Sequence, residues 1–110
     1  MKTLTDFINE SIKNVNGRLV LKDLSVNDLT DKLLKQNFYW DGDNIVLIDV
    51  TVAYFDVKTE TIKFSKELKD DVIEKLKEYT KHIGDAPRSY KGSKFDDSVL
   101  TKMLDTDERF

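Results

Sequence analysis

The chain has 110 residues, of which 39% are hydrophobic and 35% are charged, and its formal net charge is −3. Because it contains no Cys and one His, the composition excludes disulfides, thiolate metal sites and cysteine nucleophiles, and it disfavours histidine-based catalysis and zinc sites. The length predicts one domain, and the apolar content is sufficient for a packed core. No apolar run approaches the roughly 20 residues that a membrane-spanning helix needs, so no membrane association is expected.

The first seventeen residues have the pattern of an amphipathic helix. Thr3 and Asp6 have the spacing of a capping box, and Asn16-Gly17 is a typical helix end. Apolar residues recur at helical spacing on one face: Leu4, Phe7, Ile8, Ile12 and Val15.

The next two patterns predict a strand and a second helix. The apolar run over residues 18–22 is typical of a short strand. Ser25 is a favourable N-cap and Asp28 lies at capping-box spacing, which predicts a helix that continues to Gln36-Asn37. Its buried stripe is expected to consist of Val26, Leu29, Leu33 and Leu34.

The centre of the chain is rich in β-branched and aromatic residues. Residues 38–40 predict a strand whose aromatic side chains belong to the core or to cross-strand pairs rather than to a binding platform. The turn at residues 41–44 leads into one long strand over residues 45–55, and a second turn leads into a strand over residues 60–64. In the last of these strands the side chains expected to point inward are Ile62 and Phe64.

A third helix is predicted from Lys66 to about His82, with Ser65 as its cap. His82 would lie at the negative pole of the helix dipole. The apolar stripe comprises Leu68, Val72, Ile73, Leu76, Tyr79 and Ile83. Together these elements predict an α+β fold, in which helices pack on a small antiparallel meander of three strands, or four if the run near residue 20 joins it.

The C-terminal residues predict an arm or a short docking helix. The chain is loop-like to Lys94, and Ser93 and Asp96 have capping-box spacing. A helix this short is not stable alone, so it must dock on this domain, on a second copy or on another protein. We therefore expect a domain over residues 1–84 and an arm over residues 85–110, whose partner-binding side chains are Phe95, Val99, Leu100, Met103 and Leu104.

The excess negative charge lies in the middle of the chain. Residues 41–65 carry five acidic and two basic side chains, and the acidic ones are Asp41, Asp43, Asp49, Asp56 and Glu60. This pattern predicts an acidic surface. Binding of duplex nucleic acid is disfavoured because the chain has no basic excess to neutralise phosphates.

A metal site is the less favoured interpretation of the same aspartates. Asp43, Asp56 and Lys58 match the spacing of a metal-dependent nuclease. If residues 45–55 form one straight strand, however, the two carboxylates lie up to ~40 Å apart, at ~3.3 Å per residue. We therefore interpret both aspartates as turn residues and predict no metal ion or other cofactor.

The first eleven residues resemble the capsid-targeting leaders of internal proteins packaged by large tailed bacteriophages. The matching residues are Met1, Lys2, Thr3, Asp6, Phe7, Ile8 and Glu10. The resemblance implies a processing site at Ile8, Glu10 and Ser11, with the prohead protease cutting after Glu10. It also implies a location inside the virion or in the cytoplasm of a host cell. Separately, residues 1–7 lack a basic region followed by an apolar core, so secretion is not expected.

Three functions remain open at this point. The favoured hypothesis is a non-enzymatic, protein-binding accessory protein of a phage, associated with the virion, which binds another protein or a second copy of itself. The first alternative is an acidic decoy that inhibits a nucleic-acid-handling or defence enzyme of the host. The second alternative is a metal-dependent nuclease.

Overall fold

A computed structural model describes residues 20–92 and 94–110. The predicted N-terminal helix and the leader residues Ile8, Glu10 and Ser11 lie outside the described residues. The described chain contains helices α1, α2 and α3 at Asp31–Asn37, Asp70–Thr80 and Asp97–Leu104, and strands β1 to β4 at Phe38–Asp41, Asn44–Leu47, Val50–Asp56 and Thr61–Phe64. The strands form one antiparallel sheet in the order β1-β2-β3-β4, which confirms the predicted α+β class and its meander.

The segment before the sheet differs from the prediction in two ways. Leu21–Asp23 forms a 3₁₀ turn with Leu21 buried, so the described part of the run near residue 20 does not extend the sheet. The Ser25–Asp28 capping box is present, but it closes a second 3₁₀ turn. The backbone of Leu29 then leaves the helical region with its side chain buried, and α1 begins only after Thr30, whose hydroxyl accepts a hydrogen bond from the Leu33 N–H at 3.2 Å.

The predicted long strand over residues 45–55 is wrong, because it is two strands joined by a tight turn. Ile48 and Asp49 both have positive φ, at 50° and 65°. Two successive residues of this kind make the two-residue turn that best fits a twisted hairpin. Ile48 is held there because its side chain is buried and its N–H donates to the Asn37 carbonyl at 3.0 Å.

One face of the sheet carries the core. Ile62 and Phe64 point into it, as predicted, and both are fully buried. The strand side chains on this inner face pack with α1, α2 and α3, and they are Phe38, Ile45, Leu47, Ala53, Phe55, Ile62 and Phe64.

Helix α2 starts four residues later than the predicted helix. Ser65 does not cap it: the Ser65 hydroxyl accepts from the Glu67 N–H at 3.3 Å, which forms a turn before the helix. The helix itself begins at Asp70. Its predicted stripe is confirmed where Val72, Ile73 and Leu76 enter the core.

The C-terminal stripe, whose side chains were predicted to bind a partner, packs on this domain. Leu100, Met103 and Leu104 are each 4% exposed and belong to the same core as the sheet, while Phe95 and Val99 pack against that core. Helix α3 is capped by Asp96, whose carboxylate accepts from the Val99 N–H at 3.0 Å. The stripe therefore docks on this domain, which was one of its three expected destinations.

The last residues continue along the outer edge of β4. The Phe110 N–H donates to the Phe64 carbonyl at 3.1 Å, and the Lys66 N–H donates to the Phe110 carbonyl at 2.9 Å. Within the described residues, no helix has both the length and the apolar character needed to cross a membrane.

Candidate functional site

The five acidic residues predicted to form one surface are divided between two ends of the sheet. Because neighbouring strands run in opposite directions, the β1–β2 and β3–β4 turns lie at one end and the β2–β3 turn lies at the other. Asp49 is therefore separated from the other four, which are Asp41, Asp43, Asp56 and Glu60. The basic side chains of Lys58 and Arg88 belong to the same end as those four. The surface there has both signs of charge, and no observation favours a phosphate-mimicking decoy.

The Asp43 side chain connects the loop at residues 88–89 to the sheet by hydrogen bonds. Its carboxylate accepts from the Ser89 N–H at 2.7 Å and from the Ser89 hydroxyl at 2.6 Å. Beside it, the Arg88 N–H donates to the Gly42 carbonyl at 3.0 Å. This connection spans 46 residues of sequence, so spacing along the chain could not reveal it.

Asp56 belongs to an ion cluster with the C-terminal residues. Lys63 contacts the carboxylates of Asp56 at 2.8 Å and Glu108 at 2.9 Å, and the Lys58 N–H donates to Asp56 at 3.0 Å. The hydrogen bond from Lys63, followed by that from Lys58, holds the pKa of Asp56 below its ordinary value. The same carboxylates, Asp56 first, raise the pKa of Lys63.

The expected separation of Asp43 and Asp56 is also wrong. The turn at Ile48-Asp49 folds residues 45–55 into a hairpin, so both aspartates lie at the same end of the sheet, and the Phe55 N–H donates to the Asp43 carbonyl at 2.7 Å. Their carboxylates nevertheless bind Ser89 and Lys63 respectively. No cluster of three or more His, Asp or Glu side chains that could hold a metal ion occurs among residues 20–92 and 94–110.

The aromatic loop near residue 90 folds on itself. The rings of Tyr90 and Phe95 meet edge to face at 5.1 Å, and the Tyr90 hydroxyl donates to the Lys94 carbonyl. Phe95 also packs against the core. These contacts hold the two rings against each other and anchor the loop to the domain.

A groove of about 520 Å³ lies between α1, the end of α2 and strand β1. Its apolar wall is formed by Leu34, Phe38, Tyr39, Tyr79 and Ile83. Its charged rim carries both signs and consists of Asp31, Lys35, Lys75, Glu78, His82 and Asp85. The groove therefore combines an apolar wall with a strongly charged rim.

Tyr79 organises the groove wall. Its ring meets Phe38 edge to face at 6.4 Å and lies 5.4 Å from the His82 ring, while its hydroxyl donates to the Asp31 carbonyl at 3.3 Å. Burial, and secondarily the charge of Asp31, raise the pKa of the Tyr79 hydroxyl above its ordinary value. The hydroxyl is therefore a neutral donor that joins α2 to α1. His82, expected at the helix end, lies just after α2 and stands on the groove rim.

The strand beside this groove is an edge strand. Among the described residues β1 pairs with β2 alone, whereas the outer edge of β4 is bridged by Arg109. An unpaired edge presents backbone donors and acceptors to any extended chain that approaches it. The aromatic run of β1 divides accordingly: Phe38 is in the core, but Tyr39 is 44% exposed and borders the groove.

Sequence reasoning missed this site because its walls come from three separated segments. The available indication is the run Phe38-Tyr39-Trp40, whose pattern predicts core positions or cross-strand pairs and not a groove. Comparisons of the chain with protein-family models, with curated proteins and with solved structures each gave no match.

Proposed function

We propose that this protein is a non-enzymatic binding module that takes an extended segment of a partner protein along the outer edge of β1. The observation that carries the proposal is the adjacency of an apolar groove and a strand edge that has no partner strand among residues 20–92 and 94–110. In such strand addition, backbone hydrogen bonds supply affinity, and pockets for alternate side chains supply specificity. Here the pocket would be the groove between α1 and the end of α2.

The groove suits an apolar anchor flanked by charges. Its volume lies within the roughly 300–1,000 Å³ range of ligand pockets. The rim carries Lys35 and Lys75 together with Asp31, Glu78 and Asp85, so a partner segment with charges of both signs would have its direction and register set. The partner we expect is therefore a protein segment with an apolar anchor, and not a polyanion.

The phage context of this role rests on the resemblance of residues 1–11 to capsid-targeting leaders. We propose accordingly that the protein is a virion-associated accessory protein that is cut after Glu10. Mass spectrometry of the protein from mature particles should find a chain that starts at Ser11. A chain that retains Met1 in those particles would contradict the leader.

Selection from a random peptide library tests the groove directly. Peptides selected on the full-length protein should lose at least ~10-fold in affinity, about 1.4 kcal/mol, when Tyr39→Ala or Ile83→Ala removes part of the apolar wall. The matched control is Tyr54→Ala, which lies on β3 outside the groove and should leave affinity unchanged. Peptides that bind all three variants equally well would place the binding site elsewhere.

Strand addition has its own test. Copies of a selected peptide with single N-methylated backbone positions should fall into two alternating classes, because only every second N–H faces the neighbouring strand. The class that faces β1 should lose binding. If every N-methylated copy binds like the parent peptide, the segment does not add to the sheet.

A further inference from the structure

A second cavity, of about 560 Å³, lies between the β3–β4 turn, the loop at residues 89–92 and helix α3. Phe55 and Met103 form its floor and are each 4% exposed. Val57 lies at its mouth and is 54% exposed, the highest value of any large apolar side chain in the described part of the chain. The cavity shares no described lining residue with the groove beside β1. It is therefore a separate concave surface, with apolar side chains from its floor to its mouth.

The loop that forms one wall of this cavity is held in place before any ligand binds. The Ser89 N–H and hydroxyl both donate to the Asp43 carboxylate, which fixes the start of the loop to the sheet. The Tyr90 ring packs edge to face on Phe95 and lies directly over Gly92, where it fills the space that a Cβ would occupy. Because the wall is already ordered, binding a ligand there costs little conformational entropy.

The charged side chains around the cavity are two lysines and one glutamate. Lys91 belongs to the loop, Lys102 to α3 and Glu60 to the β3–β4 turn. Neither lysine ammonium forms an ion pair or a hydrogen bond with a residue in the described ranges. The cavity therefore has a local excess of positive charge in a chain whose formal net charge is −3. An anionic group is the electrostatic complement of such a rim.

We propose that this cavity binds a small carboxylic acid with an aliphatic or aromatic body. The apolar body would contact Val57, Val99 and Met103, where burial of its surface provides a favourable free energy. The carboxylate would accept charge-assisted hydrogen bonds from the ammonium groups of Lys91 and Lys102. The same molecule then satisfies both the apolar walls and the cationic rim.

The strand beside the cavity favours a small molecule over an extended protein segment. Phe55 is the one lining residue that belongs to a described strand, and this strand, β3, pairs with β2 on one side and with β4 on the other. An extended backbone would therefore find no row of free hydrogen-bonding groups on β3, in contrast to β1. The acid site is thus independent of the groove and of strand addition.

Titration of the full-length protein with octanoate tests the site, because this acid has an aliphatic body and one carboxylate. NMR amide signals of Val57, Val99 and Met103 should shift and saturate with a Kd in the millimolar range or below. Octan-1-ol, which has the same body without the charge, should bind at least ~10-fold more weakly. Saturation only at Tyr39 and Ile83 in the groove, no saturable shift, or equal affinity for the alcohol would each overturn the proposal.

Two double variants with the same change of charge test the lysines. Lys91→Gln with Lys102→Gln should weaken octanoate binding at least ~10-fold, because both ammonium groups are lost. Lys32→Gln with Lys69→Gln removes two exposed lysines that lie outside the cavity and should leave the affinity unchanged. Equal affinities of the two double variants, whether high or low, would contradict the site.

Val57→Ser tests the apolar contact without disturbing the core, because this side chain is exposed in the free protein. The affinity for octanoate should fall several-fold, since part of the apolar surface at the mouth is lost. The unliganded NMR spectrum away from the β3–β4 turn should stay as in the wild-type protein. An unchanged affinity would overturn the placement of the apolar body in this cavity.

Discussion

The Lys63 side chain connects the sheet to the C-terminal residues. It lies on β4, contacts Asp56 on β3, and reaches Glu108 beyond α3. Both carboxylates favour the charged ammonium, and the ammonium favours the charged carboxylates. The cluster therefore couples the C-terminal residues to the sheet through charge, beside the backbone bonds of Phe110.

We expect this cluster to contribute to the pH dependence of stability. Because the native state lowers the pKa of Asp56 below 3.8, its contribution is present above that pH and is lost as the pH falls through the lowered value. In Asp56→Asn, the free energy of unfolding should therefore decline less steeply in the acid range. Urea unfolding at a series of pH values below about 5 measures this decline.

The control for that measurement is Asp41→Asn, which replaces an exposed aspartate at the end of β1. In this variant the free energy of unfolding should decline with falling pH as steeply as in the wild-type protein. Equal slopes in the two variants would mean that the bond between Asp56 and Lys63 does not contribute.

At the scale of elements, the β2–β3 turn shows a conflict between local preference and burial. Ile48 is β-branched and is disfavoured at positive φ, and Asp49 also adopts this conformation. The turn persists because Ile48 is buried and bonded to Asn37 across the start of the sheet. The hairpin is therefore set by the core and not by its turn residues.

Asp49→Gly should relieve part of this conflict. Glycine has no Cβ to clash at positive φ, so the free energy of unfolding should rise by up to about 1 kcal/mol. Asp41→Gly makes the same chemical change in an extended strand and should lower it by roughly 0.5–1 kcal/mol. Chemical denaturation of both variants gives the two differences, and a loss of stability in Asp49→Gly would contradict the turn.

At the scale of the whole molecule, the C-terminal helix is part of the core. Burial of Leu100, Met103 and Leu104 contributes roughly 1.5–3 kcal/mol each before the entropy cost of ordering α3, and the net stability of a domain of this size is only about 5–15 kcal/mol. A chain that ends at Gly92 should accordingly lose cooperative unfolding instead of only losing a partner.

A point substitution tests the packing of α3 without deleting a segment. Leu100→Ala should lower the free energy of unfolding by about 2–5 kcal/mol, because it leaves a cavity beneath α3. Lys102→Ala on the exposed side of the same helix should change it by no more than about 0.5 kcal/mol. Equal effects in urea denaturation would mean that α3 does not pack as described.

Part of this fold could be predicted because it depends on neighbours in sequence. The turn at Gly42, the inward positions of Ile62 and Phe64, and the stripe of α2 follow from periodicity and turn chemistry within a few residues. The acidic surface could not be predicted in the same way. Net charge along a segment does not reveal that a hairpin sends Asp49 to one end and Asp56 to the other.

The sequence by itself determined the α+β class, the meander and the apolar faces of its elements, because alternation and helical spacing are local properties. Only the tertiary structure decided the course of residues 45–55, the burial of the C-terminal stripe, the bond between Asp43 and Ser89, and the groove beside β1. Each of these depends on contacts between residues far apart in sequence. They are stabilised by burial and hydrogen bonding across the domain, and at Ile48 this stabilisation outweighs the local backbone preference. The arrangement of the strands, in turn, leaves the edge of β1 unpaired among the described residues.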